Sequence, residues 1–281
     1  MLDNFFEFIY VYIFSHRKIK SLVNAIILFI LPARIKRKGV FINLNKSDPV
    51  ISGALLLGVF ENKEIKTLSA LFRPGQVFLD IGANIGIYSA IAGAKLGKNG
   101  KVFSFEPHPP TYNILLKTIQ SNKLNNIYPV KAAASYKNGV TKLYASEFNG
   151  GDNRMYITHD LEKFDIYKVK TLNLSNYLLK QGIKKVDLIK IDVQGYEYYV
   201  FLGLSKLIKK SYNCKILTEF WPEGIIKSGV NPIEFLNYIH LLGFKIQDIK
   251  NNKYIYKNQY KWFINKYPDR KYTNLLLSKN T

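Results

Sequence analysis

The stretch VFLDIGANIGIYSA, Val77 to Ala90, runs apolar up to Asp80 and then turns on Gly82, Asn84 and Gly86 before helix-forming residues resume. Glycines at such a turn let the backbone approach a bound molecule closely and take dihedral angles closed to other residues. A helix starting near Ile85 aims its free N–H groups at the same point. A second acid, Glu106, ends the next apolar run, KVFSFE, 24 residues after Gly82. In a nucleotide-binding α/β unit a carboxylate there accepts hydrogen bonds from both ribose hydroxyls and repels a 2′-phosphate. Turn and acid together point to an adenosine-containing ligand. A third group, KIDVQGYE, sets Asp192 and Glu197 on either side of Gly195, again after an apolar run.

These groups need a frame to hold them. From about Phe41 the chain alternates between strand-like and helix-like segments. QVFLDIG, KVFSFEP, IYPVKAAAS, VDLIKIDV, CKILTEFW and FKIQDI read as strands. IYSAIAGAKLG, PTYNILLKTIQSN, YEYYVFLGLSKLIKK and NPIEFLNYIHLLG read as the helices between them, and VTKLYASEF as a further strand, half of a hairpin. Continuous Val/Ile/Leu/Phe runs separated by helices predict a parallel sheet covered on both faces, and hence a doubly wound α/β fold. Ligands of such folds sit at the carboxyl ends of the strands.

The spacing Gly-Ala-Asn-Ile-Gly lacks the G-x-G-x-x-G pattern that makes room for a pyrophosphate. Asp80 is also a poor neighbour for phosphates and a good one for an ammonium or sulfonium. Both observations favour S-adenosylmethionine over a dinucleotide.

The segments LDIGANIGIYS, FEPHPPTYNILLKTIQSN and DLIKIDVQGYEYYVFLG, with DPVISGALLLGVFENKE upstream and TNLLLSK at the end, resemble the FkbM family of S-adenosylmethionine-dependent methyltransferases. The resemblance runs from about Asp48 to Lys279. It implies a class I methyltransferase, a Rossmann-like, mostly parallel sheet of seven strands whose last strand is antiparallel. FKIQDI is then strand six and TNLLLSK strand seven, with an aromatic, basic insertion between them. It further implies that Asp80, Gly82, Asn84 and Gly86 line the methionine and ribose part of the cofactor and that Glu106 holds the ribose. Glu61, in GVFENKE, matches an acid that faces the cofactor's amino group; a helix-surface acid is the other reading. Ala133 to Ser135 offer backbone to the adenine.

Within that frame Asp192 falls at the end of the fourth strand, beside the expected position of the methyl group. A hydroxyl is a weak nucleophile until its proton is removed or its oxygen is oriented, and a carboxylate within hydrogen-bond reach does this. Asp192 is the first candidate for that role and Glu197 the second; stabilising a helix N-terminus is the alternative for Glu197. Glu219 and Trp221, in LTEFWPE, are candidates for an acceptor wall. His108 follows Glu106 but nothing in the sequence gives it a partner, and no cluster has zinc-site spacing, so no metal is expected.

The 281 residues carry a formal charge of +21, 47% hydrophobic residues and a single cysteine, Cys214, which excludes an internal disulfide. The Lys-, Asn-, Ile- and Tyr-rich composition makes the charge a matter of surface composition more than of nucleic-acid binding. The chain divides at residue 45, into an N-terminal helical extension, 1–45, and a methyltransferase domain, 46–281. Two apolar runs in the extension, NFFEFIYVYIF and SLVNAIILFILP, are shorter than the ~20 residues that span a bilayer. They read either as helices packed on the domain or a second subunit, or as interfacial helices touching lipid. Arg34, Lys36, Arg37 and Lys38 read as a solvated segment. The expected function is O-methylation of a hydroxyl on a sugar, glycolipid, polysaccharide or secondary metabolite, in the cytoplasm or at the membrane surface. An RNA methyltransferase and a non-catalytic α/β binding protein are the alternatives. Against RNA stands the lack of an Asn/Asp-Pro-Pro-Tyr/Phe motif after the fourth strand.

Overall fold

The computed structural model describes residues 26, 29–146, 149–157 and 164–279. The first N-terminal apolar run lies wholly outside these residues, and of the second only Ile26 and residues 29–32 are among them. The end of the expected helical extension is instead a hairpin of β1 (Arg34–Arg37) and β2 (Val40–Asn43). Val40 and Ile42 point inward, and Asn43 donates its amide to Thr118 Oγ1 at 3.2 Å. The basic run is therefore structured: the Arg34 guanidinium lies 4.7 Å from the Phe41 ring centre. Arg37 donates to the carbonyls of Gly58 and Phe60 and to the Asn62 side chain.

Helix α1 (Pro49–Leu56) begins where Asp48 Oδ1 accepts the amides of Val50 and Ile51, and α2 (Asn62–Leu71) follows. The core is then laid down as alternating strands and helices: β3 (Val77–Ile81), α3 (Ile87–Leu96), β4 (Lys101–Phe105), α4 (Pro109–Ser121) and β5 (Ile127–Val130). β3 and β4 are apolar runs buried on both faces, as a parallel sheet requires. Proline sits at the first turn of α4, where its missing N–H costs nothing.

The segment IYPVKAAAS is two strands, not one. Pro129 has no N–H to donate and β5 is the sheet edge, where proline is tolerated. The chain then leaves the large sheet as β6 (Ala133–Ser135). β6 joins β8 (Phe164–Asn173) and β7 (Gly139–Ser146) in a small sheet of order β6-β8-β7. β7 is the anticipated hairpin half and β8 is its partner.

The second half supplies α5 (Leu174–Lys180), β9 (Leu188–Ile191), α6 (Glu197–Lys210), β10 (Lys215–Phe220), α7 (Pro222–Lys227), α8 (Pro232–Leu241), β11 (Phe244–Asp248), β12 (Lys253–Ile255), α9 (Tyr260–Asn265) and β13 (Thr273–Lys279). The large sheet runs β12-β11-β13-β10-β9-β3-β4-β5, with β13 antiparallel to both of its neighbours. Strands six and seven are where the sequence puts them. Among the described residues the sheet has eight strands and not seven, because the turn Ile249–Asn252, with Asn252 at φ 55°, returns the chain along the free edge of β11 as β12. One core packs Leu79, Ile81, Ile189 and Ile191 under α6 and α8. The other packs Phe78, Val102 and Leu188 under α3. Among the described residues no helix is long and apolar enough to cross a membrane.

Candidate active site

The carboxyl ends of β3, β4, β9 and β10 open into a cavity of about 1290 Å³. A pocket for one small molecule is roughly 300–1,000 Å³, so this one has room for two reactants.

The cofactor end is built from two turns. Gly82 has φ +77°, and a Cβ there would overlap the backbone carbonyl of Asp192. Glycine is what lets the turn after β3 touch the turn after β9. Asn84 is also left-handed, at φ 50°, with its Oδ1 accepting the Ile85 amide at 2.7 Å. Its Nδ2 donates to the Gly150 carbonyl at 3.1 Å, and the Gly150 amide donates to Asp48 Oδ2 at 3.0 Å. A loop of the small-sheet region is thereby tied to the cofactor turn and to the start of α1.

Glu106 follows β4, and each of its oxygens is fixed by one backbone amide: Asn84 N–H to Oε2 and His108 N–H to Oε1, both at 2.9 Å. A carboxylate has about four acceptor positions, so two remain for a ribose diol. Burial pushes the Glu106 carboxyl up to about 7. Ala133 and Ala134 also line the cavity, with Phe105 and Leu143, as an apolar slot suited to a flat heterocycle. Ser135 does not; its hydroxyl lies 3.4 Å from that of Tyr196.

Glu61 stands on the wall rather than on a helix surface. Left-handed backbone, φ 41°, turns it inward ahead of α2, and the Tyr88 hydroxyl donates to its Oε2 at 2.5 Å. Burial pushes this carboxyl up to about 7, against the pull of Lys190.

Two residues expected on the cofactor wall lie behind it. Asp80 is fully buried, and side chains alternate along a strand. Phe78 and Asp80 therefore face α3, where Ser89 Oγ donates to Asp80 Oδ2 at 2.5 Å and lies 2.6 Å from Ser104 Oγ. Asp80 Oδ1 has no hydrogen-bond partner among the described residues, and burial raises its carboxyl above the usual range. Gly86 is the N-cap of α3; a Cβ there would come within 2.6 Å of Leu115 Cδ1. Its role is the close packing of α3 on α4.

The floor carries the residue the sequence reading passed over. Lys190 is buried in β9, in register with Asp80 on β3. Ser104, Asp80 and Lys190 thus form a polar row across three buried strands. Lys190 Nζ donates to Asp192 Oδ2 at 3.0 Å and lies 4.6 Å from the Tyr88 ring centre. Burial alone would lower the Lys190 ammonium, but Asp192, Glu61 and Asp80 outweigh it and hold the group charged. Its signal in the sequence is a lone lysine inside the apolar run DLIKIDV.

Asp192 lines the cavity with its side chain 24% exposed. Gln194 Nε2 donates to Asp192 Oδ1 at 2.9 Å and to Glu219 Oε2 at 3.2 Å, linking the two acids. Burial raises the Glu219 carboxyl well above its ordinary value, and Asp192 adds to this. Glu197 is placed differently from the expectation of a second base. Its Oε1 accepts the amides of Val193 at 3.0 Å and Gly195 at 3.3 Å, beneath the loop and off the cavity wall. It is a brace for the Asp192 turn, fully buried and pushed up to about 7 by that burial. His108 has a partner after all: its Nδ1 lies 2.8 Å from Thr111 Oγ1, and burial lowers the ring to about 4.

The order β11-β13-β10-β9-β3-β4-β5 with β13 reversed, and a ribose-type acid beside a glycine turn at the ends of β3 and β4, define a class I S-adenosylmethionine methyltransferase fold and cofactor site. The chain belongs to the FkbM methyltransferase family, whose domain, the methyltransferase FkbM domain, matches residues 80–246. Among curated proteins it is 24% identical over 172 residues to the hexuronic acid methyltransferase AglP of Haloferax volcanii, covering 61% of this chain and 64% of that protein. It is 29% identical over 157 residues to the 2-O-methyltransferase NoeI of Sinorhizobium fredii, covering 51% of this chain and 63% of that one. The match therefore spans just under two thirds of each of these relatives. A solved structure, Methanocaldococcus jannaschii TYW2 in complex with AdoMet, superposes with a TM-score of 0.41 at 16% identity, covering 87% of this chain and 83% of that one.

Proposed function

We propose that the protein is an O-methyltransferase acting on a hydroxyl of a sugar, glycolipid, polysaccharide or secondary metabolite, with residues 46–281 as its catalytic domain. The observation that carries this reading is the ionic pair of Lys190 and Asp192 on the floor of a cavity large enough for cofactor and acceptor. S-adenosylmethionine, when bound, supplies an electrophilic methyl group on a positively charged sulfur. Glu106 accepts the ribose hydroxyls, and the backbone of Gly82 and Asn84 borders the rest of the cofactor. Glu61 meets its ammonium.

Asp192 would accept a hydrogen bond from the acceptor hydroxyl and take its proton as the oxygen–methyl bond forms and the sulfur–methyl bond breaks, the bonding pair staying on the sulfur, which becomes neutral. Lys190 and Gln194 hold the carboxylate in one orientation, so little reorganisation is needed at the moment of reaction. The names of the two relatives, a hexuronic acid methyltransferase and a 2-O-methyltransferase, support a sugar as acceptor and an oxygen as the methylated atom. The test is formation of S-adenosylhomocysteine from S-adenosylmethionine with a panel of mono- and oligosaccharides, expected only with acceptor present. Methyl incorporation into RNA, with affinity falling steeply with salt, would replace this reading.

A further inference from the structure

The charges on the cavity wall are sorted by depth. The acids that line it, Glu61, Glu64, Glu106, Asp152, Asp192 and Glu219, are all buried or partly buried. Among the described residues every exposed charged side chain on the wall is a cation: Lys63, Lys66, Lys250, Lys266, Arg270 and Lys271. The floor holds these carboxylates together with the buried cations Lys190 and Arg154, and the mouth is basic. Four of the six come from the segment between β11 and β13, so one stretch of chain sets the charge of the mouth.

Some of these cations also have internal work. Lys266 stands 4.0 Å from Asp248 and against the rings of Trp262 and Tyr267, and Lys63 donates to the Lys250 carbonyl at 2.9 Å. Tyr267, Tyr272 and Trp221 add aromatic surface to the same wall. Long, exposed lysines gathered at one mouth raise the local concentration of anions there, whereas scattered surface lysines would not. Cations outnumber acids over the rest of the described surface as well; what sets the mouth apart is that its cations ring a cavity whose floor is mainly acidic.

We infer that the acceptor is anionic: its reacting hydroxyl reaches Asp192 on the floor while a carboxylate or phosphate elsewhere on it stays among Lys250, Lys271 and their neighbours at the mouth. The inference rests on the methyltransferase reading above and names the class of its substrate. It also accounts for the polarity of the site, because an anion turned toward the floor would meet Glu219 and Asp192.

The test is calorimetric titration of protein saturated with S-adenosylhomocysteine, using glucose, glucuronic acid and glucose 6-phosphate as probes at low and high salt. At least one anionic probe is expected to bind about tenfold or more tightly than glucose, with the advantage shrinking at high salt. The glucuronic acid and glucose 6-phosphate arms separate a carboxylate from a phosphate. In the double variant Lys250→Gln, Lys271→Gln the advantage should disappear while affinity for S-adenosylhomocysteine stays. Equal binding of the three probes, binding of none, or an advantage that survives the substitutions overturns the inference. So does a parallel loss of S-adenosylhomocysteine affinity, which would give these lysines to the cofactor's own carboxylate. Failure of the wild-type protein to bind S-adenosylhomocysteine would instead strike the methyltransferase reading itself.

Discussion

Lys190 Nζ lies 3.0 Å from Asp192 Oδ2, and the two residues stand on the same face at the end of β9. Residues two apart on a strand share a face, so the strand brings its own counter-ion to the acid proposed as the base. Asp80, in register on β3, and Glu61, from the turn before α2, add their fields to the same ammonium.

Replacing that ammonium is expected to cost stability. Lys190 is buried but Asp192 is partly exposed, so removing the ammonium costs less than breaking a fully buried pair, about 1–3 kcal/mol. Lys190→Met should therefore lower the free energy of unfolding by roughly that amount, measured by urea denaturation. A change below about 1 kcal/mol would show that the carboxylates simply take up protons when the lysine is gone.

Glu106 gives a prediction about cofactor affinity. Glu106→Ala should weaken S-adenosylhomocysteine binding by roughly 1–3 kcal/mol, the scale for hydrogen bonds to a charged group. Ribose hydroxyls donate to the ionised form, and burial sets this carboxyl at about 7. Wild-type affinity should then fall as pH drops below about 7, and Glu106→Gln should flatten the profile. A pH-independent affinity in the wild type would mean that another group holds the ribose.

The buried carboxyls also predict how the free protein's stability varies with pH. Glu61, Glu106 and Glu197 sit at about 7 against an ordinary 4.5, and Asp48 at about 6 against 3.8, burial being the first cause in each. Between those values the folded protein holds protons that the unfolded chain has released. Raising the pH through that window therefore costs stability, at about 1.4 kcal/mol per pH unit for each extra proton. His108, lowered to about 4 from 6.5, works the other way, but it is one group against four. The melting temperature without ligand should be higher near pH 5 than near pH 8, and the opposite order would refute the burial of these acids.

Much of this was legible in the sequence, for physical reasons that also mark where reading stopped. β3, β4, β9 and β10 are buried on both faces, so they appear as unbroken apolar runs. β8 was not legible because only its second half alternates, Lys168 and Lys170 exposed against buried Val169 and Thr171, while its first half exposes Asp165 and Ile166 side by side. β12 is three residues long, below any periodicity. Glu106 and Asp192 could be placed on the wall because acids at strand ends face ligands in this fold. Asp80 ends a strand too, but the alternation that sends Leu79 and Ile81 into one core sends Asp80 toward Ser89. The link from Asn84 to Gly150 joins residues 66 apart and has no local signal.

The last prediction concerns Asp192. Its carboxylate lines the cavity and is held from two sides, by Lys190 and by Gln194. Asp192→Asn keeps the size of the side chain and one acceptor oxygen, so the fold and most of the cofactor affinity should survive. What it removes is the ability to take the acceptor's proton. General-base contributions are typically 10²–10⁴-fold, so turnover should fall within that range. Loss of the ionic pair costs some stability as well, which is why melting temperature, S-adenosylhomocysteine affinity and turnover must be measured on the same variant. Near-normal turnover in a stable variant would remove Asp192 as the base. Glu219 would then be the next to test: it shares the Gln194 amide, lines the same cavity, and burial raises its carboxyl well above the ordinary value. A Glu219→Gln variant that lost the activity Asp192→Asn had kept would move the base to β10.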